Sequence, residues 1–230
     1  MPPLLALILA TVLILGTAQS NSQVQAPPPT KAIRAGTILI ASPHLLDPHF
    51  QKTVVLICQH SSQGTIGLIL NRPLEIPLSK ALPTVPALEG TSHVLYTGGP
   101  VRPKGILMLF HTVTPPANTR KVFEEVYFGG NEEVVEKIVT NPNPGMPFRV
   151  YAGHASWSPG QLNAEIERGG WATQLAEVNS VFDPAPTTLW DYWYHKLTTP
   201  HLLIKNSIYL RKNQVRHEGV SSVRRDRPLP

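Results

Sequence analysis

The chain has 230 residues, 42% of them hydrophobic and 15% charged, which excludes a disordered polar chain and suits one globular domain with a buried core. Cys58 is its single cysteine, which excludes an intramolecular disulfide and a multi-cysteine zinc site. The formal charge of +5 is segregated: up to Tyr194 there are 12 Lys+Arg against 13 Asp+Glu, a net of −1, and from His195 onward 8 against 2, a net of +6.

Leu4 to Leu15 is an apolar run of 12 residues, where a membrane-crossing helix needs ~20. Small residues Gly16, Thr17, Ala18 and Ser20 follow, so residues 1–20 read as a signal peptide cut after Ala18 or Ser20, although no Lys or Arg precedes the run. An uncleaved N-terminal anchor is the alternative. Residues 21–34 form a polar, Pro-rich linker, 35–199 the folded domain, and 200–230 a basic extension. The extension is either a solvated tail or a contact for anionic surfaces. Tyr209 is its one aromatic residue, which argues against single-strand nucleic-acid stacking, and no motif supports sequence-specific nucleic-acid binding.

Within the domain, Thr37 to Ala41 predicts a buried strand. Asp47 and Pro48 predict the N-cap and first position of a helix of about one turn. Thr53–Gln59 and Thr65–Leu70, joined by the turn Ser61–Gly64, predict an antiparallel hairpin. A helical turn is expected at Ser79–Leu82, and strands at His93–Thr97, Ile106–Thr112 and Val126–Phe128. Asn131 caps a helix opened by Glu132 and Glu133 and stopped at Asn141-Pro142. A strand at Phe148–Ala152, a helix at Gln161–Arg168 closed by Gly169-Gly170, a strand at Trp171–Ala176 and an aromatic helix at Thr187–Leu197 complete the series. Strands outnumber helices and several are antiparallel, so the expected fold is a layered, mixed α/β or α+β domain.

Chemistry-bearing residues are few. Cys58 and His60 lie two apart on a strand, so alternation puts them on one face. That spacing allows a thiolate nucleophile or redox sensor, or a buried core thiol. Arg72, after Asn71 at a strand end, presents a fork for carboxylate or phosphate, or forms an exposed corner. Gly98-Gly99-Pro100 reads as an anion-binding nest or as a tight connection. Trp157 and Gln161 stand at a helix entrance, where unpaired N–H groups bind anions. Ser156 has the wrong spacing for a G-x-S-x-G nucleophile elbow. None of the nine histidines forms an H-x-H or H-E-x-x-H pair, so no metal and no cofactor is expected.

An ordered set of motifs then gives a family resemblance. The pieces are Gly36-Thr37-Ile38-Leu39-Ile40-Ala41, Asp47-Pro48-x-Phe50, Val54 to Cys58 with His60, and Gly67-Leu68-Ile69-Leu70-Asn71-Arg72-Pro73. Gly98-Gly99-Pro100-Val101, His111 and Gly153-x-Ala155-x-Trp157-x-Pro159-Gly160-Gln161-Leu162 follow in order. The chain resembles the YqgE/AlgH family over about Gly36 to Leu197. The resemblance implies a single α/β domain around a mixed, bulged sheet and an association with regulation, without an agreed biochemical mechanism. It also implies a cytoplasmic location, against the periplasmic or secreted location that the leader predicts. The expected function is a non-enzymatic regulatory protein binding an unidentified protein or small molecule. Its surface would comprise Asp47, Asn71, Arg72, Gly98, Gly99, Trp157 and Gln161. The alternative is a hydrolase or a thiol-dependent, redox-sensing protein using Cys58 with a nearby histidine.

Overall fold

The structure, a computed structural model, describes residues 32–140 and 146–198. The leader, most of the linker, the Asn141-Pro142 helix stop and the basic extension lie outside the described residues. Among those described, ten strands and several helices make a mixed α+β fold, as expected.

The first strands are β1 (Thr37–Ala41), β2 (Val54–Ser61), β3 (Gly64–Ile69), β4 (Pro73–Pro77), β5 (Val94–Thr97) and β6 (Val101–His111). They are followed by β7 (Arg120–Phe123), β8 (Val126–Gly129), β9 (Phe148–Trp157) and β10 (Trp171–Leu175). The sheet runs β10-β1-β2-β3-β9-β6-β8-β7, and β5 with β4 branches from β9. The predicted hairpin is present, from Val55 opposite Ile69 to Ser61 opposite Gly64.

Strand β9 organises the sheet. Its C-terminal end pairs with β3, Thr65 opposite Trp157, while its N-terminal half pairs with β5, Leu95 opposite Val150. Its other edge carries β6. The β5–β9 pair is the parallel one; the other pairings are antiparallel.

The helices are α1 (Leu78–Ala81), α2 (Glu132–Val139), α3 (Gln161–Glu167), α4 (Val178–Val181) and α5, helical over 189–198. Asn131 caps α2 as expected: its side chain accepts from the Val134 N–H at 2.9 Å. Val134, Val135 and Ile138 of α2 pack with Met108, Phe110 and Val150, forming one apolar cluster. A second cluster joins β1, β2 and β3 to Trp190 and Trp193 of α5. Strands buried on both faces explain why Thr37–Ala41 and Val54–Cys58 read as continuous apolar runs.

Several expectations change, among them the strand expected at Phe148–Ala152, which runs on to Trp157. Asp47-Pro48 opens turns and no helix: Asp47 accepts from the His49 N–H at 2.8 Å, and the Phe50 N–H donates to the Asp47 carbonyl at 3.0 Å. An Asx-turn uses the same residue that an N-cap would. Strand β6 begins at Val101, five residues before the expected Ile106, with an irregularity between them. Strands β4 and β7 were not expected, because Pro-bounded PLEIP and four-residue RKVF lack a clear period-two signal.

Candidate functional site

The candidate site forms where β9 hands over to α3. Trp157 ends β9, and Gly160, at φ +76°, makes the left-handed corner that starts α3. Gln161 Oε1 accepts from the Ser158 N–H at 3.0 Å, and Gln161 Nε2 donates to Glu165 Oε1 at 3.0 Å, one helical turn on. Glu165 Oε2 accepts from both indoles, Trp157 Nε1 at 3.0 Å and Trp171 Nε1 at 2.9 Å. One carboxylate thus locks the end of β9, the first turns of α3 and the start of β10.

Phe50 closes this unit. Its ring stacks on Trp157 at 5.8 Å and meets Trp171 edge-on at 5.6 Å; the two indoles are 6.1 Å apart. Both tryptophans are buried, at 3% and 4% exposure, so they form a floor with little open ring face. Above them lies a cleft of about 530 Å³, walled by Asp47, Phe50, Pro100, Ser156, Gln161 and Glu165. Leu46, also on its lining, is 90% exposed.

Of the residues singled out in the sequence, Asp47, Trp157 and Gln161 meet at this cleft. Asn71 and Arg72 act one step back, as a clamp on the loop that carries Phe50. Asn71 Oδ1 accepts from the Val54 N–H at 2.9 Å and its Nδ2 donates to the Lys52 carbonyl at 2.9 Å. Arg72 Nη1 donates to the His49 carbonyl at 2.7 Å and Nη2 to the Gln51 carbonyl at 3.0 Å. Arg72 thus directs one donor from each Nη to protein carbonyls.

Gly98 and Gly99 are buried and touch backbone. Strands β5 and β6 lie on opposite edges of β9, so the chain must cross β9 between Thr97 and Val101. A Cβ on Gly98 would stand 2.2 Å from the Gly153 carbonyl oxygen, and one on Gly99 would stand 2.2 Å from the His154 carbonyl carbon. Only glycine admits that crossing, and Pro100 is the part of the motif that reaches the cleft.

Cys58 and His60 are not brought together. The β2–β3 register shifts between Ile57 and Gln59, so a bulge at Cys58 breaks the alternation that would have aligned the two side chains. Cys58 is 2% exposed, and burial pushes its thiol far above the ordinary range. His60 is at the surface and hydrogen-bonds Thr65 Oγ1 through Nδ1 at 2.7 Å. Ser156 lines the cleft, but among the described residues no histidine hydrogen-bonds it. No group of three His, Cys, Asp or Glu is arranged to hold a metal ion, among the described residues.

Sequence reasoning missed Glu165, Trp171 and the packing role of Phe50. The available signal was the Gln161/Glu165 pair at i,i+4 beside two flanking tryptophans, a spacing at which an acid reaches back to a helix entrance.

The AlgH-like family model, DUF179, matches residues 38–201. A UPF0301 protein of Chlorobium chlorochromatii is 34% identical over 176 residues, covering 76% of this chain and 92% of the relative. A UPF0301 protein of Mycobacteroides abscessus is 34% identical over 167 residues, covering 71% and 79%. Among solved structures, the AlgH protein of Pseudomonas aeruginosa matches with a TM-score of 0.60 and 27% identity, over 70% of this chain and 87% of that one. A protein of Corynebacterium diphtheriae matches with a TM-score of 0.61 and 25% identity, over 72% and 87%. The resemblance carried by the sequence motifs is thereby borne out.

Proposed function

Since the chain belongs to the AlgH-like family, we propose that it is a non-enzymatic regulatory protein that binds a ligand or partner in the cleft above Phe50, Trp157 and Trp171. One observation carries this reading. Segments far apart in sequence, 42–50 and 156–171, converge on one concave site whose carboxylate, Glu165, is fixed by three donors. A preformed concavity with a few fixed polar groups is the usual form of a binding site. A nucleophile paired with a base, which acyl or thiol chemistry needs, is not assembled among the described residues. The apolar run Leu4 to Leu15 with the small residues after it, read as a leader, supports action of the mature domain outside the cytoplasm.

The test is native mass spectrometry of full-length protein from its own host, beside Leu46→Asp and Ser156→Trp variants. Both substitutions fall on exposed residues of the cleft, so folding is preserved. The parent should carry a bound ligand or partner that both variants lose. Equal retention by all three refutes the cleft as the site. Labelling of Ser156 by a serine-directed fluorophosphonate would replace the reading with a hydrolase.

A further inference from the structure

A second cleft, distinct from the one above, contains a buried cation that no carboxylate of the described residues pairs with. Arg149 lies on β9 at 8% exposure, yet among the described residues no carboxylate forms an ion pair with it. Its Nη1 donates to the carbonyls of Val181 at 2.8 Å and Leu70 at 3.3 Å, and its Nη2 donates to the carbonyl of Asp183. The guanidinium lies 4.9 Å over the Tyr96 ring. Carbonyl dipoles and a ring face soften the burial of a positive charge but do not neutralise it.

The donor count matters. A guanidinium carries five N–H groups. Three are met by the carbonyls and the buried Tyr151 hydroxyl lies nearby, so among the described residues no acceptor forms a hydrogen bond with Nε–H or with the second hydrogen on Nη2. Those atoms form the side-on fork that a carboxylate takes through two parallel hydrogen bonds.

Arg149 also lines a cleft of about 720 Å³. Leu78, Ile138, Phe148 and Phe182 give it apolar walls, and Ser92 and His93 stand on its lining. Burial holds His93 below its ordinary pKa, which favours the uncharged imidazole. The volume suits a small organic ligand.

We infer that this cleft binds a monocarboxylate with an apolar body, its carboxylate on Arg149 and its chain against Leu78, Ile138 and Phe148. The anion supplies the counterion that no carboxylate of the described residues provides, and the apolar walls select against small inorganic anions.

The experiment is isothermal titration of the full-length protein with octanoate, octanamide and inorganic phosphate. Octanamide keeps the chain without the charge, and phosphate keeps charge without the chain. Octanoate should bind at least roughly tenfold more tightly than either, the range in which a charged fork contact exceeds a neutral one. Arg149→Lys keeps the positive charge without the fork and should weaken octanoate by about tenfold. Ser92→Trp adds bulk at an exposed rim residue, so folding is preserved, and should abolish octanoate binding. Ser156→Trp, in the other cleft, should leave it unchanged. The proposal is overturned if octanamide or phosphate binds as well as octanoate, if octanoate shows no binding at millimolar concentration, or if Ser92→Trp binds it like the parent.

Discussion

At the scale of single residues, glycines and one thiol give the sharpest tests. Gly98 and Gly160 are both motif glycines, but they are held for different reasons. A Cβ at Gly98 meets the Gly153 carbonyl at 2.2 Å, while a Cβ at Gly160 meets nothing within 4 Å and is opposed only by φ +76°. Gly98→Ala should therefore cost about 3 kcal/mol or more, and Gly160→Ala about 1 kcal/mol, measured by urea unfolding. Equal costs would show that the β9 crossing is not the constraint. Cys58 gives a test of opposite kind. Its thiol is buried and shifted up by desolvation, so iodoacetamide should leave it unmodified in the native protein and modify it fully in urea. Rapid native alkylation would restore the thiol-based alternative.

At the scale of elements, the 49–54 loop shows how a distant pair can build a site it does not touch. Asn71 satisfies the Val54 N–H and the Lys52 carbonyl, and Lys52 itself is held at φ +52°. Asn71→Ala strands both backbone groups and should cost about 2 kcal/mol. It should also release Phe50 from the two indoles, shifting the emission of Trp157 and Trp171 to the red with an unchanged far-UV spectrum. The same loop marks the limit of legibility. Local patterns announced β1, the β2–β3 hairpin and the capped α2, because burial on both faces, a polar turn and an N-cap leave signatures within a few residues. Asn71 reaching back 17 and 19 residues, or Glu165 joining two tryptophans, are tertiary events with no local period. The bulge at Cys58 was invisible for the same reason: an added residue in one strand is defined only by its partner.

At the scale of the whole molecule, two conditions of the medium read out the fold and its processing. Burial lowers His93 and His154 from their ordinary value of 6.5, with the Arg102 charge adding to the effect at His154. Folded protein then binds protons less readily than the unfolded chain. Stability is intact above about pH 6.5 and falls as pH drops through the lowered values, because each histidine must be charged against its surroundings. Urea midpoints should decline from about pH 7 to about pH 5, and a His93→Gln/His154→Gln double variant should flatten that decline. The proposed leader sets the other condition. The twelve residues from Leu4 to Leu15, eleven of them apolar, would span roughly 18 Å if helical, against a hydrocarbon core of roughly 30 Å, which favours the proposed cleaved leader over an anchor. Small residues at Gly16, Thr17, Ala18 and Ser20 offer the cleavage site. N-terminal sequencing of the protein from its host should begin at Gln19 or Asn21, with the cell-envelope fraction or medium as its source. A start at Met1 or Pro2 would refute cleavage, and with cytoplasmic recovery would return the protein to the location that the family resemblance implies.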